Sequence, residues 1–207
     1  MRIAVMDLET TGVPAEIYEE RGKGSRPPAG YVPLAIEIAA QIIDEDGNPG
    51  EVFERRIRVP HGWKDDPKND NPHCRKALQT NHTTWEELDT GFSLESTVWA
   101  FEEFLARNEI EYIYAHSGNF EQHFLDKWNM GRRVICTEPI AHHHMPAIEE
   151  DKWISMRSWT ERVDLAYPDI AACRGDNKAH TALGDVKNLV LNLISDWGAT
   201  QSCLPSS

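Results

Sequence analysis

Zinc-ribbon spacing is missing from this chain. No Cys-x-x-Cys occurs among its four cysteines, Cys74, Cys136, Cys173 and Cys203. Their wide separation also gives no disulfide framework and predicts free thiols in a reducing cytoplasm. No apolar run approaches the roughly 18 residues that a membrane span needs. The opening Met1-Arg2-Ile3-Ala4-Val5-Met6-Asp7 is too short for a secretory signal, so a cytoplasmic protein with no membrane partner is expected. Internal repeats, heptads and low-complexity tracts are absent, which excludes solenoids and coiled coils. Positive charge is scarce. Lys and Arg number 21 against 34 Asp and Glu, a formal net charge of −13. Proteins that coat nucleic acid are usually basic, so this balance argues against a non-specific coat. It leaves room for an enzyme on nucleic acid, whose metal-holding carboxylates are acidic by design.

What is present reads as one domain over residues 1–200, with a frayed tail at 201–207. The apolar fraction, 40%, is enough to build a core. Residues 2–9 predict a buried strand ended by Thr10-Thr11-Gly12. Residues 13–32 form a Gly- and Pro-rich loop carrying Arg21, Lys23 and Arg26, which could contact phosphates. Residues 34–43 and 51–59 predict a β-hairpin across Asp44–Asn48. On the return strand Arg56 and Arg58 share a face that solvent or phosphate could meet. The stretch 60–83 reads as irregular, with a short helix near Thr84. Leu94, Val98, Phe101 and Leu105 then predict a helix capped by Ser93. A strand at 110–115 and a helix at 119–128 follow. Residues 133–152 give a short strand and a loop holding His142-His143-His144, and 159–167 a helix. The closing helix runs from Leu183 through Val186, Val190, Ile194 and Trp197. Three strands first, then alternating helices and strands, predict a mixed sheet with helices on its faces.

Asp7 and Glu9 stand two apart on the first strand, so both side chains point to one face. Two carboxylates there repel each other and are costly to bury, and a divalent cation is the usual remedy. Thr10-Thr11-Gly12 lets the chain turn and brings backbone amides to the same point, where they could face a substrate end. The His142–His144 triplet reads instead as a solvated loop, because adjacent residues rarely converge on one ion. His73-Cys74 reads likewise. Trp153 and Trp159 read as core or as base-stacking surface.

The string Asp7-Leu8-Glu9-Thr10-Thr11-Gly12 after an N-terminal apolar strand resembles the first motif of the DnaQ-like (DEDDh) 3′-5′ exonuclease superfamily. The resemblance implies an α/β, ribonuclease H-like mixed β-sheet flanked by helices. Its second motif is matched by Tyr114–Glu121, where Glu121 stands in place of the family's Asp and adds one methylene. Its third, His-x-Ala-x-x-Asp, is matched by His180-Thr181-Ala182-Leu183-Gly184-Asp185. Residues 119–125 and 153–165 are similar to the exoribonuclease-like branch that includes a mycobacterial RNase and phage exonucleases. Arg157-Ser158 stands where that branch commonly has Arg-Asp. The resemblance covers residues 1–60 and 93–197, and leaves 60–92 unaligned.

By resemblance, Asp7, Glu9, Glu121 and Asp185 hold two divalent ions, Mg²⁺ or Mn²⁺, and His180 is the general base. Thr10, Thr11, Gly12, Asn119, Phe120 and Arg157 contact substrate. The expected partner is single-stranded nucleic acid, RNA or DNA, and relatives are often homodimers. Two other readings compete: a catalytically weak nucleic-acid-binding module, motivated by Glu121, and a phosphoesterase of small nucleotides.

Overall fold

In this computed structural model the described residues are 2–17, 27–145, 154–175, 177 and 179–202. Arg21, Lys23, Arg26 and Trp153 lie outside them. The hydrophobic run at the N-terminus forms strand β1 (Ile3–Thr10), and the hairpin follows as β2 (Ala35–Ile43) and β3 (Pro49–Arg56). β4 (Tyr112–Ala115) and β5 (Arg133–Cys136) complete a five-stranded sheet of order β3-β2-β1-β4-β5. β1 is antiparallel to β2 and parallel to β4, so the sheet is mixed, as expected. Its central place explains its apolar run, since both of its faces are covered.

Strand alternation sorts β1 between two cores. Ala4, Met6 and Leu8 join Phe101, Phe104, Leu105 and Phe124 on one side. Ile3 and Val5 join Trp159, Val186, Leu189, Val190 and Leu193 on the other. Asp7 and Glu9 continue the second set, so they belong to the face covered by the closing helix.

The helices, in chain order, are α1 (Pro72–Thr80), α2 (Leu94–Arg107), α3 (Gly118–Lys127) and α4 (Glu138–His144). α5 (Met156–Ala166), α6 (Pro168–Cys173), α7 (Ala182–Ile194) and α8 (Trp197–Ser202) follow. Side chains start several of them as the sequence dictates. The Ser93 hydroxyl accepts the Ser96 N–H at 3.2 Å to open α2, and the Thr181 hydroxyl accepts the Gly184 N–H at 3.2 Å to open α7.

Three expectations need correction. Residues 72–80 are helical rather than irregular, because Asn71 caps the Cys74 N–H at 2.9 Å and Pro72 fills a first-turn position that needs no N–H. Cys74 and Leu78 bury its inner face against Tyr31, Ile36, Val59 and Leu88. The His142–His144 triplet closes helix α4 instead of lying in a loop, and His144 Nδ1 accepts the Trp159 indole N–H at 3.2 Å. On α2, Phe101 and Leu105 are buried and Val98 packs against the core as expected, but Leu94 is 39% exposed and Phe104 takes a buried place instead. Beyond Ile194 the chain continues into α8, and of the expected tail only residues 201 and 202 are described. Trp197 Nε1 donates to the Glu45 carbonyl at 3.2 Å, and Thr200, fully buried, donates to the Leu193 carbonyl at 2.7 Å.

Candidate active site

Asp7 and Glu9 reach the α7 side near the C-terminal end of β1. The register of β1 against β2 shifts between Glu9 and Thr10, a local irregularity beside the site. α7 brings Asp185 in its first turn to meet them. One carboxylate oxygen from each of Asp7, Glu9 and Asp185 lies within 4.8 Å of the others. Asp185 is tethered from behind, since its Oδ2 accepts the His180 backbone N–H at 3.1 Å. That bond helps to hold His180 at φ 60°, a left-handed conformation few non-glycine residues adopt. Its ring is exposed at the rim of the site.

Glu121 arrives from the first turn of α3 and is 2% exposed. The helix can start there only because residue 118 is glycine. A Cβ at Gly118 would sit 2.9 Å from the Cys136 backbone nitrogen of β5.

These five residues line one cavity of about 660 Å³. The facing wall is α1, contributing His73, Lys76, Ala77 and Thr80, with Asn81 just beyond it. The wall is fastened to the tip of β1 at two points. Asn81 Nδ2 donates to the Thr10 carbonyl at 2.9 Å, and His73 Nε2 accepts the Val13 N–H at 3.1 Å. Between them Gly12 lies so close that a Cβ there would be 2.6 Å from the His73 ring. All of α1 falls within the unaligned stretch 60–92, so motif matching misses this wall. The signals that could have found it are the Asn71-Pro72 start and the apolar pair Cys74 and Leu78, which the surrounding prolines obscure.

The expected substrate contacts divide. Thr10, Gly12 and Phe120 line the cavity. Thr11 is fully buried, and its hydroxyl accepts from Tyr31 Oη and from the Leu34 N–H, both at 2.9 Å, so its side chain braces the turn. Asn119 is exposed and is not among the cavity residues, and Arg157 lies on the surface paired with Glu161 at 2.8 Å. Arg56 is spent between Glu37 at 2.7 Å and Glu87 at 3.1 Å.

Crowding of acids in a shielded place shows in their proton affinity. Burial, then Glu9, Glu121 and Asp185, hold the Asp7 carboxyl well above the usual carboxylate range. Burial, then Asp185, Glu37 and Glu121, push Glu9 from its ordinary 4.5 up to about 8. Burial also raises Asp185. Such a set favours either protons or cations. Its donors are all carboxylate oxygens, the ligands that Mg²⁺, Mn²⁺ and Ca²⁺ take, with no thiolate to select zinc. The residues therefore fit a hard divalent ion held by Asp7, Glu9 and Asp185, with Glu121 facing the same space.

The sheet order and the flanking helices make this an α/β protein of the ribonuclease H-like class. Among solved structures it is similar to a full-length 3′-exonuclease, with a TM-score of 0.66 at 12% identity over 98% of this chain and 83% of that one. It is also similar to cell-death related nuclease 4 (CRN-4), with a TM-score of 0.62 at 13% identity over 95% of this chain and 64% of that one. At these identities the likeness is one of fold. No protein-family model and no curated protein sequence matches the chain.

Proposed function

We propose that this chain is a metal-dependent 3′-5′ exonuclease that hydrolyses phosphodiester bonds from the 3′ end of single-stranded nucleic acid and releases nucleoside 5′-monophosphates. The observation that carries the reading is the convergence of Asp7, Glu9 and Asp185 within 4.8 Å, in a cavity that Glu121 and His180 also line. In this reading Asp7, Glu9 and Asp185 hold one divalent cation, and Asp7 with Glu121 supports a second. Bound there, Mg²⁺ or Mn²⁺ supplies Lewis acidity to the phosphate oxygens and acidifies a water. His180, exposed at the rim, takes the proton of the attacking water. Asp185 fixes the backbone that carries it. Phe120 and the Thr10–Gly12 turn receive the terminal nucleotide. Nuclease structures of the same fold, a 3′-exonuclease among them, support the substrate class.

The free thiols of Cys74, Cys136 and Cys173 agree with a cytoplasmic enzyme. Among the described residues no helix is long and apolar enough to cross a membrane.

The test is incubation of the purified protein with Mg²⁺ or Mn²⁺ and single strands labelled at either end, as matched RNA and DNA. Stepwise shortening of 5′-labelled strands, with mononucleotide release from 3′-labelled ones, is expected, and it is lost in Asp7→Ala and Asp185→Ala. Binding without release would make the protein a nucleic-acid-binding module. Faster turnover of a dinucleotide than of a long strand would make it a small-nucleotide phosphoesterase.

A further inference from the structure

The cavity has two unlike walls. One carries the carboxylates. The other is the outer face of α1, where His73, Lys76, Ala77 and Thr80 recur at the three- and four-residue steps that put side chains on one side of a helix. Most of the polar groups on that face are committed within the protein. His73 Nε2 accepts from Val13, the Thr80 hydroxyl donates to the Lys76 carbonyl at 3.0 Å, and Asn81 donates to the Thr10 carbonyl. Lys76 differs. It is exposed, it makes no ion pair among the described residues, and it is the one Lys or Arg described as lining the cavity. Among the described residues lining this four-carboxylate site, in a chain of net charge −13, this ammonium is the one Lys or Arg charge that can offset repulsion of an entering strand.

We infer that Lys76 binds a backbone phosphate of the entering strand, one other than the phosphate under attack, and so positions the 3′ end over the carboxylates. The assignment rests on the exonuclease reading above. The ammonium acts as a point charge on a flexible stem, so it serves any base sequence and both sugar types. It stands on a helix pinned to the tip of β1, which fixes its place relative to Asp7 and Glu9.

The experiment measures binding of a dye-labelled single strand by anisotropy in Ca²⁺, over a salt series, for the whole protein. Lys76→Ala is expected to weaken binding roughly fivefold or more. It should also lower the slope of log affinity against log salt by about 0.7, the share of a single neutralised phosphate on a single strand. Lys76→Arg should restore both quantities, and Arg162→Ala, an exposed cation that does not line the cavity, should leave the slope alone. With Mg²⁺, Lys76→Ala should raise KM for the strand far more than it lowers kcat. Lys76→Gln, which keeps most of the aliphatic stem, serves if the alanine variant misfolds. An unchanged salt slope in a folded Lys76 variant overturns the assignment, even where the wild type degrades strands normally. A lowered slope in a protein that releases no nucleotide upholds Lys76 and overturns the exonuclease reading instead.

Discussion

Raising the pH of the metal-free protein should loosen it, and a divalent cation should undo the effect. Glu9 holds its proton up to about pH 8 in the folded chain but only to its ordinary 4.5 once unfolded. Between those values the native state binds more protons than the unfolded one, so stability falls as pH rises. Below 4.5 the contribution is whole, and above about 8 it is gone. At about 1.4 kcal/mol per pH unit, the interval is worth on the order of 5 kcal/mol. Asp7 and Asp185 are raised too, and act in the same direction. Against the roughly 5–15 kcal/mol that holds an ordinary domain together, this cluster of acids carries a large fraction. For a chain of this size it corresponds to a fall in Tm of roughly 10–20 °C. The assay is thermal melting in chelator across this range, repeated with Mg²⁺ or Mn²⁺. The cation should raise Tm much more at about pH 8 than at about pH 5, because at the lower pH it must displace protons. Glu9→Gln should make the chelator curve shallower, leaving the part due to Asp7 and Asp185. A metal-free Tm that does not change between these pH values, or equal stabilisation by the cation at both, would refute the claim that these carboxylates share one shielded space.

Three other outcomes follow from particular contacts. His180→Ala should bind Mn²⁺ as the wild type does by calorimetric titration, yet turn over single strands about 10²–10⁴ times more slowly, and full activity would remove it as the base. Gly12→Ala places a methyl against the His73 ring at 2.6 Å, and should cost about 1–3 kcal/mol in denaturant unfolding. Arg174→Ala removes the partner of Asp164 at 2.5 Å and of the buried Asn192 amide oxygen at 2.7 Å, and should destabilise by about 3 kcal/mol without changing metal affinity.

Much of this was legible because it is local. The alternation of β1 gave both its buried faces and the shared direction of Asp7 and Glu9. The Ser93 cap and the spacing after Leu183 located two helices. Where long-range packing decided, the pattern misled. Leu94 opens α2 but points outward, because the sheet covers the face set by Phe101, Phe104 and Leu105. Trp197 continues the periodicity of α7 yet belongs to a separate helix docked on the hairpin turn. Thr11 stands in a motif that suggests substrate, but its side chain answers to Tyr31 and Leu34, contacts that sequence spacing does not reveal. The wall made by α1 was hidden for a similar reason. Its role depends on which strand tip it leans against, and 60 residues separate Val13 from His73.

The acids come from far-apart stretches of chain: Asp7 from the first strand, Glu121 from a middle helix and Asp185 from the last long one. Until α7 has settled on the sheet, Asp7 and Glu9 have no Asp185 beside them. A chain truncated before α7 therefore lacks one of the three converging acids.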